Sequence, residues 1–277
     1  MGTGTGWNAA LLAHRVGRTG RVTTVEVDPA VAAAARARLP APVEVVTADG
    51  VHGCGAGAPY DRIIATVGLR EIPYGWVEQA QPCAVIVAPW GTHFSHLDAV
   101  ARLVVAGDGR SACGRFTRPV EFMKLRGRRL EWAGHSAYVP EEGTGAAEPS
   151  TTSLTEAQLV TGPFGVTSFA IGLRVPDCRH VVAEKRNGMR PVWFYGLGPG
   201  DRSWAVVVFR DGEAAADVYQ SGARRLWDEV EAAYRWWEGE GQPGYERFGL
   251  TVECGGGQSV WLDEQARVCG GSEARTG

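Results

Sequence analysis

The sequence lacks the features that mark several classes of protein. No apolar run reaches the roughly 18 residues that a membrane-spanning helix requires, and the N-terminus has no basic region followed by an apolar stretch, as a secretory signal would have. The formal net charge is only −3, so the chain has no excess of positive charge that would attract nucleic acid or an anionic membrane. We therefore expect a cytoplasmic protein that binds neither nucleic acid nor membranes.

The chain also lacks the cysteine spacing of a metal site. None of its six cysteines stands in a C-x-x-C pair, and no pair of histidines at ligand spacing accompanies them. Zinc sites and disulfide frameworks both need such regular spacing. We expect reduced thiols and no bound metal.

What the first 125 or so residues do contain is an alternation of β-rich and alanine-rich runs. Strands that alternate with helices predict a parallel sheet with helices on both faces, which is an α/β fold. A hairpin of strands at 103–105 and 118–125 is expected to follow. The other predicted elements are a helix from Trp7, a strand over 21–27, a helix over 30–39, strands over 43–47 and 60–66, a helix over 74–79 and a strand over 84–88.

The second half of the chain has a different composition. Six of the ten tryptophans lie beyond residue 157, and apolar residues recur at helical spacing from Leu226 to Trp237. Before this half, the stretch around residues 139–156 is rich in Pro, Gly, Glu, Ser and Thr. We predict an α/β domain over 1–127, a linker over 128–156 and a small accessory α+β domain over 157–277.

A glycine-rich run, Gly2-Thr3-Gly4-Thr5-Gly6, stands just before the first predicted helix. Glycine has no Cβ, so such a turn lets the backbone approach a bound nucleotide closely. The helix that follows directs its free amide groups toward the ligand. By itself this signal is weak, because the chain contains 38 glycines.

Two acidic residues strengthen the case for a nucleotide site. Glu26 ends the strand after the glycine run, where a carboxylate can accept hydrogen bonds from ribose hydroxyls. Asp49, followed by Gly50, comes after the next strand, where an Asp can receive an adenine amino group. The glycine run and Glu26 are equally compatible with NAD, whereas the dinucleotide motif does not require an acid at Asp49. Taken alone, Asp49-Gly50 is as well explained by a simple turn.

Together these motifs resemble the protein-L-isoaspartate O-methyltransferase family over roughly residues 1–125. Fold, cofactor and site then follow from the resemblance. It implies the S-adenosylmethionine (SAM) methyltransferase fold, with SAM held by Gly2, Thr3, Gly4 and Gly6, its ribose by Glu26 and its adenine by Asp49 and Gly50. It further implies that Thr66, Val67 and Gly68 line the pocket where methyl donor and substrate meet. The motifs that carry the resemblance are Gly2–Leu11, Val25–Asp28, Ala48–Gly50, Ala58–Thr66 and Glu71–Pro73.

The activity implied is methylation of an aspartyl or isoaspartyl carboxylate in a protein or peptide. Such a carboxylate is already ionised at neutral pH, so we assign no catalytic acid or base. His93, His96 and Cys83 are interpreted as structural. The substrate is either a damaged protein awaiting repair or a ribosomally made peptide undergoing tailoring. The other hypotheses are a non-catalytic binding protein and an NAD-dependent oxidoreductase.

The sequence departs from the family pattern in two places. Pro82-Cys83-Ala84 stands where the family has a Pro-Gly-Gly turn, and Met1 directly precedes the glycine run. The fold class we predict is therefore a Rossmann-like sheet that lacks its first strand, plus the accessory domain. Because that strand is central in the sheet, its absence leaves two neighbouring strands unpaired along one edge. We expect the natural coding sequence to begin upstream, or this chain to be a fragment.

Overall fold

A computed structural model describes residues 1–41, 43–128, 130, 132–141, 143–144, 147–162 and 165–264. The helices in this part of the chain are α1 (Trp7–Val16), α2 (Pro29–Arg36), α3 (Tyr74–Glu78), α4 (Glu156–Leu159), α5 (Thr167–Arg174) and α6 (Leu226–Gly239). The strands are β1 (Val22–Glu26), β2 (Val43–Thr47), β3 (Tyr60–Ile64), β4 (Ala80–Trp90), β5 (Asp98–Val105), β6 (Ala112–Val120), β7 (Glu148–Thr152), β8 (Cys178–Val182), β9 (Met189–Gly196), β10 (Trp204–Arg210), β11 (Ala216–Ser221), β12 (Phe248–Val252) and β13 (Gln258–Leu262).

The strands form three sheets. β1 and β2 make a parallel pair. A second, mixed sheet has the order β13-β12-β6-β5-β4-β3, in which only β3 and β4 are parallel. The third sheet is antiparallel throughout, in the order β7-β11-β10-β9-β8. The carboxyl ends of β1, β2 and β3 carry the residues for which the sequence predicts a ligand site.

Local sequence explains the first βαβ unit. The Asp28 carboxylate accepts hydrogen bonds from the amides of Ala30 and Val31, which caps α2 at its N-terminus. Pro29 occupies the first helical position, where a missing N–H costs nothing. Ala32 and Ala35 are fully buried, so their small side chains let α2 lie close to β1 and β2.

Within the part of the chain that the structure describes, no strand lies between β1 and β3, and each of them pairs on one side only. The first two residues of the chain bridge the carboxyl ends of these strands. The Met1 amino group donates to the Ile64 carbonyl at 2.7 Å, and the Gly2 amide donates to the Val25 carbonyl at 2.9 Å. Below this bridge lies a cleft of about 250 Å³, lined on its two sides by β1 and β3. The predicted α/β sheet without its first strand is confirmed by this arrangement.

The C-terminal half does not form a unit apart from the first. β12 pairs with β6, which places the last hairpin in the sheet of the N-terminal half. Phe169 on α5 packs edge-on against Phe116 on β6 and Phe248 on β12. One hydrophobic core therefore runs through both halves. β12, from the far end of the chain, covers one edge of β6, and the division into domains at residue 157 stays a prediction.

The segment predicted as a linker is also built into the fold. β7 forms the edge of the five-stranded sheet beside β11. Tyr138 is buried, and its hydroxyl donates to the Gly196 carbonyl at 2.8 Å. The hairpin before it is shifted from the prediction, because β6 spans Ala112–Val120 rather than 118–125. Its register is set by pairing with β5 on one side and β12 on the other, which no local pattern reveals.

Among the residues that the structure describes, no helix combines the length and the apolar character needed to cross a membrane.

Candidate functional site

The glycine run forms a tight loop with left-handed backbone at each of its three glycines. The φ angles of Gly2, Gly4 and Gly6 are +83°, +54° and +86°, a region that residues with a Cβ rarely adopt. A Cβ on Gly2 would lie 2.7 Å from the Cγ1 of Val67, so the loop is in direct contact with the segment after β3. A Cβ on Gly4 would meet no heavy atom within 4 Å. The backbone at Gly4 is therefore open to an approaching ligand.

Glu26 holds this loop from the end of β1. One carboxylate oxygen accepts from the Gly4 amide at 3.0 Å, and the other accepts from the Asp28 amide at 3.1 Å. A carboxylate has about four acceptor positions, so both oxygens can accept further hydrogen bonds from a ligand hydroxyl. The side chain thus fixes the loop and still offers negative charge at the strand end.

Asp49 and Gly50 stand one strand further along, in the loop after β2. Asp49 accepts from the Val51 amide at 3.0 Å. Its other oxygen lies 3.8 Å from the position that a Cβ on Gly127 would occupy, so the turn at Arg126–Arg128 approaches this loop. Trp76 donates its indole N–H to the Gly50 carbonyl at 2.8 Å, which fastens the loop to α3.

Thr66, Val67 and Gly68 follow β3 and contact the glycine loop. The Thr66 hydroxyl donates to the Gly2 carbonyl at 2.7 Å. Gly68 exchanges backbone hydrogen bonds with the segment after β6: its amide donates to the Met123 carbonyl at 2.9 Å, and its carbonyl accepts from the Leu125 amide at 3.1 Å. The structure therefore brings the two predicted groups of residues together at one edge of the fold.

The negative charge of Asp28 is balanced by Arg126, an arginine that the sequence motifs do not reveal. Arg126 lies 3.6 Å from Asp28. Hydrogen bonds from the amides of Val31 and Ala30, and then the charge of Arg126, hold the pKa of Asp28 below its ordinary value. Asp28 therefore stays ionised and keeps capping α2 at neutral pH.

Sequence reasoning also missed the buried Asp98 on β5. It is completely inaccessible to solvent and pairs with Arg70 at 2.6 Å and with Lys124 at 2.5 Å. A Cβ on Gly68 would lie 2.4 Å from its Oδ2. The sequence signal for this cluster is an acidic residue at the start of a strand whose other residues, apart from Arg102, are apolar.

The residues assigned no chemistry remain apart from the glycine loop. Cys83 is exposed at the start of the long strand β4, whereas His93 and His96 line a cavity beyond Gly68. Within the described residues, no group of three His, Cys, Asp or Glu side chains has the spacing to hold a metal ion. The site offers hydrogen-bond acceptors and exposed backbone rather than an acid–base pair.

Comparison with known proteins relates this edge of the fold to one family. Residues 1–129 match the family model of protein-L-isoaspartate(D-aspartate) O-methyltransferase. Among curated proteins, the chain is 37% identical over 133 residues to protein-L-isoaspartate O-methyltransferase 2 of Archaeoglobus fulgidus, which covers 46% of this chain and 58% of that protein. It is 39% identical over 101 residues to the protein-L-isoaspartate O-methyltransferase of Methanococcus maripaludis, covering 35% and 48%.

The chain thus spans about half the length of the curated relatives it matches. A solved structure of a protein-L-isoaspartate O-methyltransferase aligns with 95% of this chain and 74% of its own chain, at 20% sequence identity and a TM-score of 0.49. The sequence matches agree with the motifs and with the loop geometry. The resemblance is confirmed: residues 1–129 of this chain are related to the protein-L-isoaspartate(D-aspartate) O-methyltransferase family.

Proposed function

We propose that this chain transfers a methyl group from SAM to the carboxylate of an aspartyl or isoaspartyl residue in a protein or peptide. The observation that carries the proposal is the contact between the Gly2–Gly6 loop, held by Glu26, and the Thr66–Gly68 segment. The family match over the same residues supports it. The A. fulgidus and M. maripaludis relatives bear the name of this activity.

The residues present fit SAM. Its amino acid and ribose portions need exposed backbone and acceptors, and the open left-handed backbone of Gly4 beside the Glu26 carboxylate provides both. Asp49 would hold the adenine amino group, with Gly50 leaving room beside it. Gly2, Thr3 and Gly6 would set the shape of the loop. Thr3 anchors it, because its hydroxyl is buried and lies 2.8 Å from the hydroxyl of Thr24.

When bound, SAM supplies an electrophilic methyl group to a carboxylate oxygen. The chain's task is then to hold the carboxylate in line and to exclude water, because an aspartyl carboxylate is already ionised near pH 7. Thr66, Val67 and Gly68 would form the wall on the substrate side. No general base is required, which agrees with the kind of side chains at the site.

The test is methyl transfer from labelled SAM to an isoaspartyl peptide and to the matching aspartyl peptide, with a peptide that carries alanine at that position as control. Formation of a base-labile methyl ester on the isoaspartyl peptide is the expected result. SAM binding without transfer to any carboxylate would favour the non-catalytic hypothesis. Binding of NAD in competition with SAM would favour the oxidoreductase.

The same assay separates repair from peptide tailoring. An enzyme of repair methylates isoaspartyl peptides of unrelated sequence at similar rates, because damage arises at many sites. A tailoring enzyme methylates one precursor and ignores short unrelated peptides. A panel of isoaspartyl peptides with varied flanking residues therefore distinguishes the two roles.

A further inference from the structure

A second cavity, of about 410 Å³, lies beyond Gly68 on the side away from the glycine loop. It is formed where the segment after β6 and the start of β8 meet the loop between β4 and β5. Its described lining contains three cationic side chains, three histidines and no carboxylate. These residues are Arg70, Lys124, Arg179, His93, His96 and His180.

Asp98 holds two of the cations in place from beneath. Its Oδ1 accepts from Arg70 at 2.6 Å, and its Oδ2 accepts from Lys124 at 2.5 Å. The Lys124 ammonium also donates to the His96 carbonyl at 2.8 Å. One buried negative charge therefore fixes two positive charges, which leaves a net positive charge at the cavity wall.

Arg179 adds a third positive charge from β8. Its guanidinium lies 4.9 Å from the centre of the Trp132 ring. Its Nε is buried and has no hydrogen-bond partner among the described residues. Arg179 also lines the cavity, so its positive charge adds to those of Arg70 and Lys124.

Two carboxylates, Glu121 and Asp177, lie near the cavity but outside its lining, and the charge of Asp177 acts on His93. Glu121 is exposed and lies 4.0 Å from His96, at the rim. Burial, and then the charge of Arg70, lower the pKa of His93, so His93 is neutral at physiological pH. The positive charge of the cavity comes from Arg70, Lys124 and Arg179.

The cavity adjoins the segment proposed to face the methyl acceptor. Gly68 forms a bridge with Lys124 and is hydrogen-bonded to Met123 and Leu125 on either side of it. If the reacting carboxylate of a polypeptide lies at Thr66–Gly68, a residue close to it in sequence would therefore lie at this cavity.

From this geometry we infer that the cavity is a substrate subsite, which binds a second carboxylate of the polypeptide beside the one that is methylated. The inference rests on the proposed function. The second carboxylate comes either from a flanking Asp or Glu side chain or from the C-terminus of the peptide. Carboxylates suit this site because arginine binds them through paired N–H groups.

The experiment compares isoaspartyl peptides that differ only in one flanking residue. Glu is replaced by Gln at each position within three residues of the isoaspartate, and a further pair differs in a free or amidated C-terminus. We expect kcat/KM to fall about tenfold when the recognised carboxylate is lost, as for one charged hydrogen bond. The position that responds identifies the source of the carboxylate.

Arg179→Gln is the test variant, and Arg202→Gln is its matched control. Arg202 is also in the five-stranded sheet region and also lies over an aromatic ring, Tyr138, at 5.5 Å, but it is outside the cavity. Arg179→Gln should reduce the preference for Glu over Gln to less than about threefold, whereas Arg202→Gln should preserve it.

Binding of fluorescently labelled peptides, read by anisotropy, keeps the two proposals separate. If no peptide is methylated but the Glu peptides bind about tenfold more tightly and Arg179→Gln abolishes the difference, the proposed function fails and the subsite stands. If peptides are methylated and bound equally with Glu or Gln and with either terminus, the subsite is overturned while the proposed function stands.

Discussion

The Glu26 side chain joins two backbone segments that are far apart in sequence. Its two oxygens accept from Gly4 and from Asp28, so the glycine loop and the start of α2 share one support. The strand end at which Glu26 stands could be predicted from sequence, because the carboxyl ends of parallel strands meet at one edge. The contact with Gly4 could not, because it depends on the turn that three left-handed glycines produce.

Replacing Glu26 with Gln should weaken SAM binding by about ten- to a hundredfold, as expected for loss of a charged acceptor. The amide keeps one acceptor oxygen, so the fold should persist. Glu44→Gln is the matched control, since Glu44 lies on the neighbouring strand β2 and accepts a hydrogen bond from Thr23 at the surface. Isothermal titration with SAM measures both variants. Equal affinities would remove Glu26 from the site.

His180 on β8 is a histidine whose pKa is strongly lowered. Burial lowers its pKa from 6.5 to about 4, and its Nδ1 lies 2.6 Å from the Phe94 carbonyl, which accepts the hydrogen bond. The folded protein therefore keeps His180 neutral at a pH where an unfolded chain would protonate it. Its contribution to stability is complete above pH 6.5 and is lost as the pH falls toward 4.

We expect this one residue to account for up to about 3 kcal/mol of the acid-induced loss of stability between those pH values. His180→Asn removes the titration and retains a donor for the Phe94 carbonyl, so its stability should depend less steeply on pH. His14→Asn, at an exposed position of α1, is the control. Urea unfolding at a series of pH values measures the slopes. Parallel curves for all three proteins would contradict the assignment.

At the scale of elements, the hairpin of β12 and β13 shows what local sequence could and could not predict. Its two strands and its Gly255–Gly257 turn were predictable from alternation and turn residues. Its partner β6 was not, because more than a hundred residues separate the two and the local sequence of a strand does not identify its neighbour. For the same reason the Asp98 cluster, assembled from three separate segments, escaped sequence reasoning.

Gly249 on β12 lies at a position of this hairpin that has no room for a side chain. A Cβ there would lie 2.1 Å from the ring of Trp261, which also stacks on Arg115 and donates to the Thr251 hydroxyl. Gly249→Ala should displace the ring and lower the free energy of unfolding by about 1–3 kcal/mol. Gly257→Ala, in the exposed turn of the same hairpin, is the control.

Thermal unfolding measures the stability of the two hairpin variants, and tryptophan fluorescence measures their emission. A shift in emission with Gly249→Ala but not with Gly257→Ala is the expected pattern. Equal stability of the two variants would mean that Trp261 does not fasten the hairpin to β6.

At the scale of the whole molecule, the continuous core predicts one cooperative transition. Ile86 in the six-stranded sheet and Val207 in the five-stranded sheet are both fully buried in it. Ile86→Val and Val207→Ala each remove buried methyl groups and should each cost about 0.5–2.5 kcal/mol. Either variant should move the entire calorimetric transition. Two transitions, of which each variant moves only one, would support the two-domain organisation predicted from sequence.

The pairing of β12 with β6 has a consequence for folding during translation. On the ribosome, β3 to β6 emerge early, yet the strand that covers the free edge of β6 is made only after the entire five-stranded sheet. Until then the nascent chain presents an open strand edge, a template for pairing with other chains. Translation that stalls between β6 and β12 should therefore yield a product that depends on chaperones, whatever the stability of the finished protein.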